Sequence, residues 1–92
     1  MMEFRATIRY FRPERASGLA IAEVPSEYVQ ELGGLKQMRV QVTINGAEYS
    51  SNVMPAGSGR LALSVSQKMM KAAKVTVGSE AVFEIRRVPP SE

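Results

Sequence analysis

Residues 38–54 run Met38-Arg39-Val40-Gln41-Val42-Thr43-Ile44, then Asn45-Gly46, then Ala47-Glu48-Tyr49-Ser50-Ser51-Asn52-Val53-Met54. In the first segment apolar residues alternate with Arg39, Gln41 and Thr43, the period of a strand with one face buried. Asn-Gly is the strongest short hairpin signal, because a two-residue type I′ turn needs positive φ at both central positions. A turn there predicts the register: Ile44 faces Ala47, Val42 faces Tyr49, Val40 faces Ser51 and Met38 faces Val53. Thr43 then lies opposite Glu48, and Arg39 opposite Asn52, on the other face. The product is a ribbon with one apolar side, the seed of a small β-barrel or sandwich.

The rest of the chain bounds what such a ribbon can become. Ninety-two residues make a single domain, 1–92, with an ordered core expected over about residues 3–88. A chain this short buries only roughly 60–65% of its unfolded surface, which leaves little apolar material to enclose a large cavity. At 45% hydrophobic and 23% charged it has an ordinary globular composition. No apolar run approaches the length of a signal or membrane segment, and there is no cysteine. The expected setting is therefore the cytoplasm, away from membranes.

Absent residue types exclude whole chemistries. The sequence holds no His, Cys, Trp or Asp, so all nine acids are Glu. The commonest general base, the nucleophilic thiol and the usual zinc ligands are missing together. Ser-His-Asp and Cys-His arrangements cannot be built. Glu, Lys, Tyr, Ser and Arg remain, and no spacing among them singles out a catalytic pair. No enzyme activity, cofactor or metal is expected. A net charge of +3 suits an acidic protein or nucleic acid without demanding either.

Along the chain, Phe4, Ala6, Ile8 and Tyr10 alternate with Arg5, Thr7 and Arg9 as one half-buried strand. Arg12-Pro13-Glu14-Arg15-Ala16-Ser17-Gly18 reads as a loop, and residues 19–24 as a second strand. Pro25 suits the first position of a short helix through Glu31, closed by Gly33-Gly34. After the hairpin, Met54-Pro55-Ala56-Gly57-Ser58-Gly59 forms a loop, and Leu61, Leu63 and Val65 another strand. Ser66 suits the N-cap of a helix to about Lys74. Val77-Gly78-Ser79 turns into a last strand from Ala81 to Val88, and Pro89-Pro90-Ser91-Glu92 is a tail that neither ladder nor helix accepts. Both halves thus read strand, short helix, loop, strand. A pseudo-two-fold barrel would let each half cover the other's open edge.

These residues carry a resemblance. The aromatic Phe4 of the first strand, Val24-Pro25 with Glu27, and Leu32-Gly33 come first. Val42-Thr43-Ile44-Asn45-Gly46 with Tyr49 follows, then Pro55, Gly57 and Gly59, then Lys68, Lys71-Ala72-Ala73 and Val77-Gly78. In that order the chain resembles the family called domain of unknown function nineteen-oh-five, over nearly its whole length. The resemblance implies a double-split β-barrel, similar in fold to AbrB-type swapped-hairpin transcription factors but with both halves on one chain. It carries no catalytic residue. Where the family often has Gly-Asp this chain has Gly78-Ser79, a change expected to cost a turn hydrogen bond but not the fold.

The fold class expected is therefore mainly β: a small double-split β-barrel of about six strands with two short capping helices. The glycine-rich loop before Arg60 could form an anion-binding nest, but a phosphate loop would be followed by a helix, and here a strand follows. At 100° per residue Lys68, Lys71 and Lys74 share an arc of about 120°, with Met69, Met70, Ala72 and Ala73 opposite as core. Arg39, Arg60, Lys68, Lys71 and Lys74 are the candidate anion or nucleic-acid contacts. The first helix carries Glu27 and Glu31 outward, so the chain is read as a monomer or a weak homodimer. Arg5 and Arg9 read as charged guards of an edge strand. The function expected is a non-catalytic binding or interaction module of unknown ligand, with nucleic-acid binding by the basic helix face as the alternative.

Overall fold

The computed structural model describes residues 2–12 and 18–88. The readings of Arg15, of the rest of the loop at 13–17 and of the tail at 89–92 fall outside them. In chain order the elements are β1 Met2–Thr7, β2 Arg9–Tyr10, β3 Ala20–Val24, and a 3₁₀ turn Ser26–Tyr28 that runs into α1 Val29–Leu32. Then come β4 Met38–Ile44, β5 Ala47–Pro55, β6 Leu61–Val65, α2 Gln67–Ala73 and β7 Glu80–Arg87. The strands form one antiparallel sheet in the order β1-β7-β4-β5-β6-β3-β2, curled into a half-barrel. The fold is mainly β with two short helices, as expected.

The Asn-Gly turn sets the hairpin as its sequence requires. Asn45 and Gly46 take φ of 48° and 91°, and the β4–β5 pairs are Ile44–Ala47, Val42–Tyr49, Val40–Ser51 and Met38–Val53. Val40, Val42 and Ile44 are fully buried while Arg39 stays exposed. Asn45 does a second job. Its Oδ1 accepts the Val82 amide at 3.1 Å, and its own amide donates to the Val82 carbonyl at 3.0 Å, prolonging the β4–β7 ladder past the strand end.

The sheet has seven strands where about six are expected, because the N-terminal run is two strands. At Ile8 the chain leaves the β7 ladder: the Ile8 amide donates to the Ser79 carbonyl at 2.9 Å, and the Gly78 amide donates to the Ile8 carbonyl at 2.7 Å. Beyond it Arg9 and Tyr10 pair with Ile21 and Ala20 of β3. The side-chain alternation runs unbroken through this change of partner, so periodicity does not reveal it. Burying Ile8 completely contributes about 1.5–3 kcal/mol and pins the bend.

The two halves repeat one pairing scheme. β1/β2 serves first β7 and then β3; β5 serves first β4 over Ala47–Val53 and then β6 over Val53–Pro55. β3 pairs with β6, and β4 with β7. Exchanging β1/β2 with β5, β3 with β6 and β4 with β7 returns the same scheme. The inner face gathers Ile8, Val24, Val40, Val42, Ile44, Leu63, Phe83 and Ile85. Phe4 stacks on Phe83 with centroids 5.5 Å apart and meets Tyr28 at 6.2 Å. Val29 and Leu32 of α1 and Met69 of α2 close the core.

Helix ends follow local chemistry. Gly33, at φ 118°, ends α1, with its amide on the Gln30 carbonyl at 3.0 Å and that of Gly34 on Val29 at 2.9 Å. Ser66 Oγ accepts the Met69 amide at 3.1 Å to open α2. The wheel drawn for α2 fails at two places. Ala72 is exposed rather than core, and Lys74 lies past the helix in a left-handed conformation at φ 61°. At Gly78-Ser79 the expected loss does not occur, since Ser79 Oγ accepts the Thr76 amide at 3.1 Å.

Candidate anion-binding cleft

Once the chain has changed partner at Ile8, β2 carries Arg9 on the outer face of the sheet, directly across from Ile21. The Phe11 amide then donates to the Leu19 carbonyl at 2.8 Å, which extends the pairing and fixes where Phe11 and Arg12 leave the sheet. From the other side comes Arg60. The loop before it closes on itself: the Ala56 amide donates to the Arg60 carbonyl at 2.8 Å, and the Arg60 amide to the Gly57 carbonyl at 3.1 Å. Gly57, Ser58 and Gly59 all sit at positive φ (84°, 54° and 73°), a run that glycine makes accessible. The loop spends the Arg60 amide on itself and delivers the Arg60 side chain instead.

Arg9, Phe11, Arg12, Ala56 and Arg60 line an open cleft of about 340 Å³. Glu23, on the outer face of β3, ties two of the arginines together: its Oε1 accepts from Arg9 Nη2 at 3.4 Å and from Arg60 Nη1 at 3.5 Å. The three side chains are 43%, 40% and 50% exposed in the order Arg9, Glu23, Arg60. Exposed ion pairs of this kind contribute at most about 1 kcal/mol each. The Arg12 guanidinium carbon stands 5.9 Å from the centre of the Phe11 ring, within range of a cation–π contact. Among the described residues, three arginines line the cleft and one carboxylate, Glu23, pairs with two of them, which leaves surplus positive charge and guanidinium donors to spare.

Two of the five contacts proposed from sequence line clefts, and they line different ones. Arg60 belongs to the arginine cleft. Lys71 lines a separate cleft of about 240 Å³ with Tyr10, Met70, Val75 and Val77. Lys68 and Lys74 are exposed, and so is Arg39 on β4 opposite Asn52. Arg9 and Arg12 were not among the five. In a continuous strand Arg9 looks like an edge guard, and only the partner change at Ile8 brings it toward Arg60. The basic residues clustered between Arg5 and Arg12 were the available hint, but nothing local tied them to position 60. A third depression, of about 140 Å³, lies on the polar face of the β4–β5–β7 region beside Gln41, Glu48 and Glu84.

Among the described residues no three carboxylates gather closely enough to hold a metal ion, and no helix is long and apolar enough to cross a membrane. No curated protein matches the chain. The model of one family does match it, over residues 4–85 and so through every strand and both helices, and the chain belongs to that family, described as a domain of unknown function (DUF1905).

Proposed function

We propose that the domain is a non-catalytic binding module that holds an anionic group of its ligand in the Arg9–Arg12–Arg60 cleft. The observation that supports this is that Arg9 and Arg12, from β2 and its exit, and Arg60, from the start of β6, line one open cleft. Arginine forks match anionic oxygens in geometry as well as charge. The lack of His, Cys and Asp favours binding over catalysis, and no cofactor is called for. The same reading takes the fold as a double-split barrel and its setting as the cytoplasm. The test is an NMR titration with sulfate. Saturable shifts are expected at Arg9, Arg12 and Arg60, and Arg60→Ala should weaken binding by roughly tenfold, the value of one charge-assisted hydrogen bond. A uniform, non-saturating drift across the spectrum would refute the proposal.

A second reading, nucleic-acid binding by Lys68, Lys71 and Lys74 with Arg39, draws support from α2. All three lysines are exposed there, and residues 67–73 include no acid. Binding of that kind must weaken with salt, each phosphate contact contributing about 0.9 to the log–log slope on duplex DNA. We expect only feeble, sequence-independent binding at physiological salt, since +3 is a small net charge. Sub-micromolar selective binding, lost when the three lysines become Glu, would place nucleic acid first.

A further inference from the structure

We infer that the arginine cleft takes a terminal phosphate group, and that the Glu23 carboxylate holds the phosphate's place until the ligand arrives. The inference rests on the anion-binding reading above. Two guanidiniums already aim at a single point, Glu23 Oε1, but at 3.4 and 3.5 Å. Charge-assisted N–H···O contacts settle nearer 2.7–2.9 Å, so Glu23 holds the two guanidiniums only loosely. Each guanidinium has five donors, and toward Glu23 Arg9 and Arg60 each use one nitrogen. Arg12 lines the cleft together with Arg9 and Arg60, rests against Phe11, and makes no bond to Glu23.

The number of acceptor oxygens selects the ligand. A carboxylate offers two oxygens in one plane and merely replaces the carboxylate already present. A phosphodiester also offers two unesterified oxygens and a single charge. A terminal phosphate presents three free oxygens in a tetrahedral array, one for each of Arg9, Arg12 and Arg60, and carries up to two charges. The resident side chain is easily displaced, because Glu23 is 40% exposed and its pairs are screened by water. The cleft, at about 340 Å³, leaves room for the group that bears the phosphate.

The experiment follows the arginine Nε–Hε resonances of labelled full-length protein during titration with inorganic phosphate, dimethyl phosphate and acetate. Phosphate should move Arg9, Arg12 and Arg60 saturably, with the diester and acetate at least roughly tenfold weaker. Glu23→Gln keeps an acceptor oxygen but removes the charge, and should tighten phosphate by about fivefold or more, the effect of one solvent-screened pair of unit charges near 4 Å being about fivefold. Arg12→Ala should bring phosphate down toward acetate. Both substitutions alter exposed or half-exposed side chains, and amide spectra confirm that the fold persists. Dimethyl phosphate or acetate binding as well as phosphate overturns the terminal-phosphate assignment. Unchanged or weaker phosphate binding by Glu23→Gln makes Glu23 an organiser of the arginines and overturns its role as place-holder. Arginine signals that respond to no anion, in wild type and Glu23→Gln alike, sink the binding reading itself.

Discussion

Asn45 meets two demands that few residues satisfy together. Its backbone sits at φ 48°, and its side-chain oxygen takes the Val82 amide that the end of β4 would otherwise leave without a strand partner. Glycine meets the first demand only, alanine neither, and aspartate both. Asn45→Gly should therefore cost about 1 kcal/mol, the net value of one hydrogen bond. Asn45→Ala should cost roughly 2 kcal/mol or more, since a left-handed conformation for a residue with a plain Cβ adds about 1–2 kcal/mol. Asn45→Asp should stay within roughly 0.5 kcal/mol of wild type, as acceptor and backbone preference are both retained. Urea melts of the three variants measure this order, and an Asn45→Gly protein as stable as wild type would show that the side-chain bond contributes nothing. The same residue explains why the hairpin is legible in sequence: the turn chemistry is local, and the register follows from it by counting.

At the scale of elements, α2 shows where local rules hold and where they stop. Ser66 opens the helix as its residue type predicts, and Met69 turns inward. The C-terminal end is less readable, because the left-handed residue that ends α2 is Lys74 and not glycine. Its amide reaches the Lys71 carbonyl at 3.2 Å, and the Val75 amide takes that of Met70 at 2.9 Å. The geometry is that of a glycine cap occupied by a lysine. Lys74→Gly should stabilise the protein by about 0.5–1 kcal/mol, the relief of left-handed strain less the added freedom of the unfolded chain. A lowered thermal midpoint would mean that the Lys74 side chain makes a stabilising contact of its own. The break between β1 and β2 lies beyond any such local reading. Ile8 continues a perfect alternation, and where the run gives up β7, at the far end of the chain, for β3 is a tertiary choice that leaves no local mark. That choice also assembles Arg9 with Arg60, so the candidate cleft stayed hidden for the same reason as the seventh strand.

For the whole molecule, the repeated pairing scheme bears on how many chains make one fold. Each half supplies a run that serves two partners, β1/β2 in one and β5 in the other, and both flanks of the hairpin are taken within the chain, β4 by β7 and β5 by β6. A swapped dimer would have to exchange these ladders for identical ones, at the entropic cost of association and with no new hydrogen bonds in return. The protein should therefore run as one chain in size-exclusion chromatography with light scattering at physiological salt. Glu27 and Glu31 on the first helical segment and Lys68 and Lys71 on α2 are all exposed, so two copies can attract head to tail through opposite charges. Such a dimer must be salt-labile, because the screening length falls from about 30 Å at 0.01 M to about 8 Å at 0.15 M. Charge reversal at Lys68 and Lys71 should then abolish whatever dimer low salt reveals. A dimer that persists at high salt and separates only on unfolding would have the signature of exchanged strands, and would show that the halves are joined between chains.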